Sequence, residues 1–95
     1  MVKFVAKFPI KPECAQAYIE ELRPCVEKTR QEPGCLEYAV FFDREINVCT
    51  LMETFADEAA AKTHTEHSYF VYDFAALSKY YAGEATVDKY SEQLF

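Results

Sequence analysis

The 95-residue chain has no tryptophan, only two glycines, no Cys-x-x-Cys pair and no tract of low complexity. It also has no basic cluster, because its ten lysines and arginines are scattered and its formal net charge is −6. A polyanion would find nothing to hold on such a chain, so nucleic acid is not an expected partner. No apolar run approaches the roughly 20 residues of a membrane-spanning helix. The opening Met1-Val2-Lys3-Phe4-Val5-Ala6-Lys7-Phe8 alternates in polarity and lacks the apolar block of a signal peptide. The expectation is a soluble, cytoplasmic protein without membrane contact. Charged residues make up 27% of a chain without low-complexity sequence, which argues against disorder.

The cysteines are Cys14, Cys25, Cys35 and Cys49. Cys14 and Cys25 fall on one expected helix, roughly 16 Å apart along its axis at ~1.5 Å per residue. A disulfide needs Cα atoms within about 7 Å, so these two cannot bridge each other. All four read as free thiols in a reducing compartment.

What the chain has in plenty is apolar and aromatic surface: 51% hydrophobic residues, with seven Tyr and eight Phe. Its length supports one domain, residues 1–95, and one core. A single core of this size does not hide so many rings. The surplus is expected to line a cavity or to meet a second subunit.

Residues 2–10 alternate, with Val2, Phe4, Ala6, Phe8 and Ile10 on one face, and predict a strand that Pro9 and Pro12 end. From Glu13 to Gln31, Ala15, Tyr18, Ile19, Leu22, Cys25, Val26 and Thr29 form a helical stripe. Pro24 interrupts its hydrogen bonding but not its phase, which predicts one kinked helix, closed by Pro33-Gly34. Residues 35–43 and 48–55 read as paired strands around Arg44-Glu45-Ile46-Asn47, with Asn47 as a turn residue. Leu36, Tyr38, Val40 and Phe42 share one face of the first, opposite Glu37, Ala39 and Phe41. Asp57 is a natural N-cap for a helix over 58–64. A further helix over 69–81 carries Phe70, Phe74, Leu77 and Tyr81 on one side, and a strand over 85–91 follows. The order β-α-β-β-α-(α)-β predicts a ferredoxin-like α+β fold of the split βαβ type, an antiparallel sheet with helices on one face. Both faces of the paired strands carry large apolar groups, and so short a chain can cover only one of them. The other face is expected to meet a second copy.

Glu32-Pro33-Gly34-Cys35-Leu36-Glu37-Tyr38, Glu53-Thr54-Phe55, Ala60-Ala61 with His64, Phe70 with Phe74, and the late Val87…Tyr90 strand occur in an order and spacing that resemble the antibiotic biosynthesis monooxygenase family. The resemblance implies a dimeric α+β barrel, a homodimer whose two sheets pack face to face, with a pocket in each subunit between sheet and helices. It also implies oxidation of phenols or quinols by dioxygen with no metal, flavin or other cofactor. Some relatives instead cleave haem and another isomerises a phosphorylated sugar, so the fold alone does not specify the chemistry. The absence of Trp, and Ala6 or Lys7 near the place of a strand-one Asn, disfavour haem cleavage. Phe55 stands where Trp is common after the strand Glu, and Tyr69 replaces a second family histidine in His67-Ser68-Tyr69-Phe70.

His64 is the candidate catalytic residue, since a neutral imidazole beside aromatic residues can take a phenolic proton. Tyr69, Tyr72, Tyr38 and Glu53 are the candidate substrate-binding residues, weighed against core packing for the tyrosines and pairing with Lys3 or Lys7 for Glu53. His67 follows His64 by three positions, but no third ligand has a fitting spacing, so no metal is expected. The expected ligand is a small aromatic or quinone-type molecule. Two alternatives remain open: an isomerase or other non-redox enzyme on a small phosphorylated or carbonyl metabolite, and a non-catalytic small-molecule-binding or stress-response protein.

Overall fold

The structure is a computed structural model that describes all of residues 1–95. Four strands form, β1 (Val2–Pro9), β2 (Cys35–Asp43), β3 (Val48–Phe55) and β4 (Thr86–Tyr90), in one antiparallel sheet of order β2-β3-β1-β4. The alternation in β1 puts Val2, Ala6 and Phe8 opposite Phe55, Leu51 and Cys49 of β3, and all six are buried on one face. Burying a large apolar side chain of this kind stabilises the fold by about 1.5–3 kcal/mol.

That face is covered by α1 (Ala15–Arg30), which follows a single 3-10 turn at Pro12–Cys14. Ala15, Tyr18, Leu22, Cys25, Val26 and Thr29 are buried along it, and the helix continues through Pro24. Thr29 is tolerated in the core because its hydroxyl donates to the Cys25 carbonyl at 2.7 Å. Lys28 and Arg30 sit in the last turn, where cations favour the helix dipole. Arg30 also reaches across to β2, where its Nε and Nη2 donate to the Tyr38 carbonyl at 3.1 and 2.8 Å.

A second helix, α2 (Glu58–Glu66), begins as the sequence predicts: the Asp57 carboxylate accepts from Ala60 N at 2.7 Å. The β2–β3 turn also forms as predicted, with Asn47 in the left-handed region at φ 55°. No helix is long and apolar enough to cross a membrane. All four cysteines are free.

Three local features depart from the sequence reading. The stretch expected as a helix over 69–81 is a π-helical turn (Tyr69–Phe74) followed by 3-10 turns (Ala75–Tyr80). A wide turn followed by tight ones averages near the α-helical period, so Phe70, Phe74 and Leu77 still face the sheet. Leu36 does not share a face with Tyr38. The register shifts between Cys35 and Glu37, which places Cys35 opposite Phe55 and leaves Leu36 62% exposed. Gly34 does more than end a helix: a Cβ there would land on Cβ of Ala60, so the missing side chain is what lets α2 approach the start of β2.

The opposite face of the sheet has no covering element. It presents Val5, Ala39, Phe41, Val48, Met52 and Tyr90, with Phe41 56% exposed, beside a Lys3–Glu37 ion pair at 2.6 Å.

Candidate active site

Between the sheet and α2 lies a cavity of about 220 Å³. Phe4, Ala6 and Phe8 from β1, Phe55 from β3 and Val87 from β4 make its sheet wall. Phe70 and Phe74 close the other side with their rings stacked at 5.5 Å. Into this apolar space project two ionisable groups, His64 and Glu53, with Tyr38 and Thr65 beside them.

His64 is buried on the inner face of α2, with its ring 5.1 Å from Phe55 and 5.0 Å from Phe70. Its Nδ1 lies 2.9 Å from Oε2 of Glu32, a carboxylate on the connection between α1 and β2. A carboxylate oxygen accepts, so Nδ1 is the donor of this contact, an arrangement that in a neutral imidazole places the lone pair on Nε2. Nε2 points towards the cavity carboxyl, 3.5 Å from Glu53 Oε1. Glu32 is held in turn by the Tyr69 hydroxyl, which donates to the same Oε2, and His67 Nε2 lies 4.0 Å from its other oxygen. His67 and Tyr69 stack at 4.9 Å, with Lys28 Nζ 5.8 Å from the Tyr69 ring.

The environments of these groups differ. Burial, assisted by the negative charge of Glu32, pushes the Glu53 carboxyl up to about 7. Glu53 therefore exchanges a proton near neutrality while facing an apolar space. Burial also raises the Tyr38 phenol far above its ordinary value, and burial together with the bond to Glu32 raises that of Tyr69. Both tyrosines are therefore neutral hydroxyls at physiological pH. No group of three or more His, Cys, Asp or Glu is arranged to hold a metal ion.

Of the residues singled out in the sequence, His64, Glu53 and Tyr38 meet at the cavity, Tyr38 directly opposite Glu53 in the β2–β3 register. Glu53 faces the helices and does not pair with Lys3, which binds Glu37 instead. Tyr69 lies behind the cavity and orients Glu32. Tyr72 is 71% exposed and outside the cavity wall. Glu32 was missed as a chemical group. It belongs to the Glu32-Pro33-Gly34 stretch, but a carboxylate that meets an imidazole 32 positions later leaves no periodic trace in a sequence.

Residues 1–71, which include Glu32, Glu53, His64 and Tyr69, match the family described as antibiotic biosynthesis monooxygenase. YcnE of Bacillus subtilis (strain 168), whose name provisionally makes it a monooxygenase, is 32% identical over 71 residues, 74% of this chain and 75% of its own. A solved structure described as an antibiotic biosynthesis monooxygenase is 31% identical, covers 98% of this chain and 99% of its own, and superposes with a TM-score of 0.90. A conserved protein from Methanosarcina mazei Go1 superposes equally well (TM-score 0.90), at 28% identity over 97% of this chain and 92% of its own. This chain belongs to the antibiotic biosynthesis monooxygenase family.

Proposed function

We propose that the protein oxidises a small phenol or quinol with dioxygen, without metal or flavin, and that His64 takes the phenolic proton. The observation that carries this reading is the Glu32–His64 pair set against an apolar cavity, with the Nε2 lone pair on the cavity side. A phenol entering the cavity donates to Nε2, and Glu32 offsets the positive charge that forms on the ring. Low polarity around the pair strengthens that offset. The phenolate then passes one electron to dioxygen, and the resulting phenoxyl radical and superoxide join through a ring carbon. The imidazolium returns its proton to the departing oxygen as the peroxide O–O bond breaks, and the hydrogen of the oxygenated ring carbon leaves with it. One oxygen atom stays on the ring as a carbonyl, the other leaves in water, and the ring is oxidised to a quinone. No proton is drawn from or lost to solvent, which suits a base enclosed by aromatic rings.

The cavity wall contains no Lys or Arg, so a phosphorylated metabolite would lack a counter-charge there and would meet two carboxylates nearby. For this reason the oxidative reading is preferred over the isomerase. A second copy of the chain covering the open sheet face, as the family resemblance implies, accounts for Phe41, Met52, Val5 and Tyr90 standing exposed or half-buried on an uncovered surface.

The test is oxygen uptake across a panel of phenols and quinols, comparing wild type with His64→Ala. Loss of a positioned base should slow turnover by about a hundredfold or more. Absence of uptake across the panel, or equal rates in the variant, would sink the proposal.

A further inference from the structure

Two polar groups at the cavity have no hydrogen-bond partner within the chain: Nε2 of His64, whose other ring nitrogen is taken by Glu32, and the carboxyl of Glu53. They are 3.5 Å apart, beyond the usual length of a hydrogen bond, on a wall that is otherwise almost wholly apolar. Two such groups held side by side select a ligand that presents two polar atoms side by side. Resting on the reading of this cavity as a phenol site, we propose that its substrate class is the ortho-diphenol, with neighbouring hydroxyls engaging His64 Nε2 and Glu53.

The geometry separates the three diphenol isomers. Hydroxyl oxygens on adjacent ring carbons lie about 2.7 Å apart, close to one hydrogen-bond length. Each can reach one member of the His64–Glu53 pair with only a slight splay, while the ring points away into the space walled by Phe4, Phe55, Phe70 and Phe74. A meta-diphenol places a C–H between its oxygens, directed at the two acceptors. A para-diphenol reaches both only with its ring laid across the pair inside van der Waals contact. Glu53 also suits the second hydroxyl chemically. A carboxyl that exchanges its proton near neutrality accepts from a hydroxyl when ionised and donates to a quinone carbonyl when protonated. The diphenol loses two hydrogens and gains one oxygen atom from dioxygen, giving a hydroxylated ortho-quinone, and the second oxygen atom leaves as water.

Catechol, resorcinol and hydroquinone share composition and apolar area, so the hydrophobic contribution cancels between them. Their affinities are to be measured anaerobically by NMR titration, with chelator present so that catechol cannot bind through stray metal. Catechol should bind at least about tenfold more tightly than either isomer, the factor that one hydrogen bond to a charged group supplies. Glu53→Gln should remove most of that advantage and leave hydroquinone binding nearly unchanged. Equal affinity among the isomers, no binding by any of them, or an advantage that survives in Glu53→Gln would overturn the proposal. Aerobic oxygen uptake separates this from the broader reading. Preferential catechol binding without turnover removes the oxygenase and keeps the ligand class. Turnover of hydroquinone with no preference for catechol does the reverse.

Discussion

Gly34→Ala should destabilise this protein although it adds a single methyl group. The new Cβ would overlap Cβ of Ala60, whereas two methyl carbons rest at roughly 3.5–4.0 Å. Neither side yields easily. Ala60 is anchored to the helix backbone, with its amide bonded to Asp57 at 2.7 Å, and the Gly34 carbonyl accepts from Ala56 N at 2.8 Å. Relief therefore requires α2 to move as a unit, and overpacking of this kind costs about 1–3 kcal/mol. For a domain of this size each kcal/mol lowers Tm by roughly 4–8 °C. Urea unfolding followed by far-UV circular dichroism, at one fixed protein concentration because self-association would add to stability, measures the loss. The decisive comparison is the cycle with Ala60→Gly. That change alone should cost up to about 1 kcal/mol in helix propensity. Combined with Gly34→Ala, it removes the clash, so the double variant should be no less stable than Ala60→Gly by itself. A loss below about 0.5 kcal/mol in Gly34→Ala, or simple additivity in the cycle, would refute the close-approach explanation.

Four further outcomes are expected. Between the ordinary carboxyl value of 4.5 and about 7 the folded chain keeps a proton on Glu53 that the unfolded chain has released, so the contribution of Glu53 to stability falls as pH rises through that window. At ~1.4 kcal/mol per pH unit the full effect is about 3 kcal/mol. Glu53→Gln should therefore flatten the pH dependence and exceed wild type in urea unfolding at alkaline pH, and parallel curves would contradict the buried carboxyl. Glu32→Gln should lower kcat by about a hundredfold with little change in KM, and ring-nitrogen NMR should show His64 losing its preference for the Nδ1–H tautomer. Tyr69→Phe, which removes a donor to Glu32, should cost about 1 kcal/mol, whereas Tyr18→Phe, which removes a buried hydroxyl lacking a partner, should be neutral or stabilising in the same denaturation assay. Wild type should sediment as a dimer and Phe41→Glu as a species near 11.0 kDa, and a monomeric wild type at micromolar concentration would remove the second copy from the open sheet face.

The parts of this fold that can be read from sequence are those where burial repeats along the chain. The β1 alternation and the Tyr18–Leu22–Cys25–Val26–Thr29 stripe are of that kind, because each reports one element facing one core. Asn47 and Asp57 were legible for a different reason: a left-handed turn and a helix N-terminus each reward particular side chains locally. What could not be read depends on pairs brought together from afar. The bulge at Leu36 reflects how β2 fits β3, and the role of Gly34 reflects how closely Ala60 approaches. The candidate site divides in the same way. His64 and Glu53 stand out by residue type in an aromatic sequence, whereas Glu32 looked like part of a helix stop and acquires its role only from the imidazole beside it. Tyr69 and Tyr72 look alike in sequence, and the wide turn between them sends one inward and the other into solvent.

The ionisable groups of the cavity and its support, Glu32, Tyr38, Glu53, His64 and Tyr69, all come from the continuous block between residues 32 and 69. The outer parts of the chain, β1 and β4, contribute Phe4, Ala6, Phe8 and Val87, none of them ionisable. Proton handling is thus confined to one stretch of sequence, while ligand shape is set in part by others. Ala6 and Val87 are direct neighbours across β1 and β4, so their two side chains set the width of the cavity floor together. Exchanging bulk between these two positions offers a lineage, or a protein engineer, a way to change which rings are admitted while the reactive imidazole stays where it is.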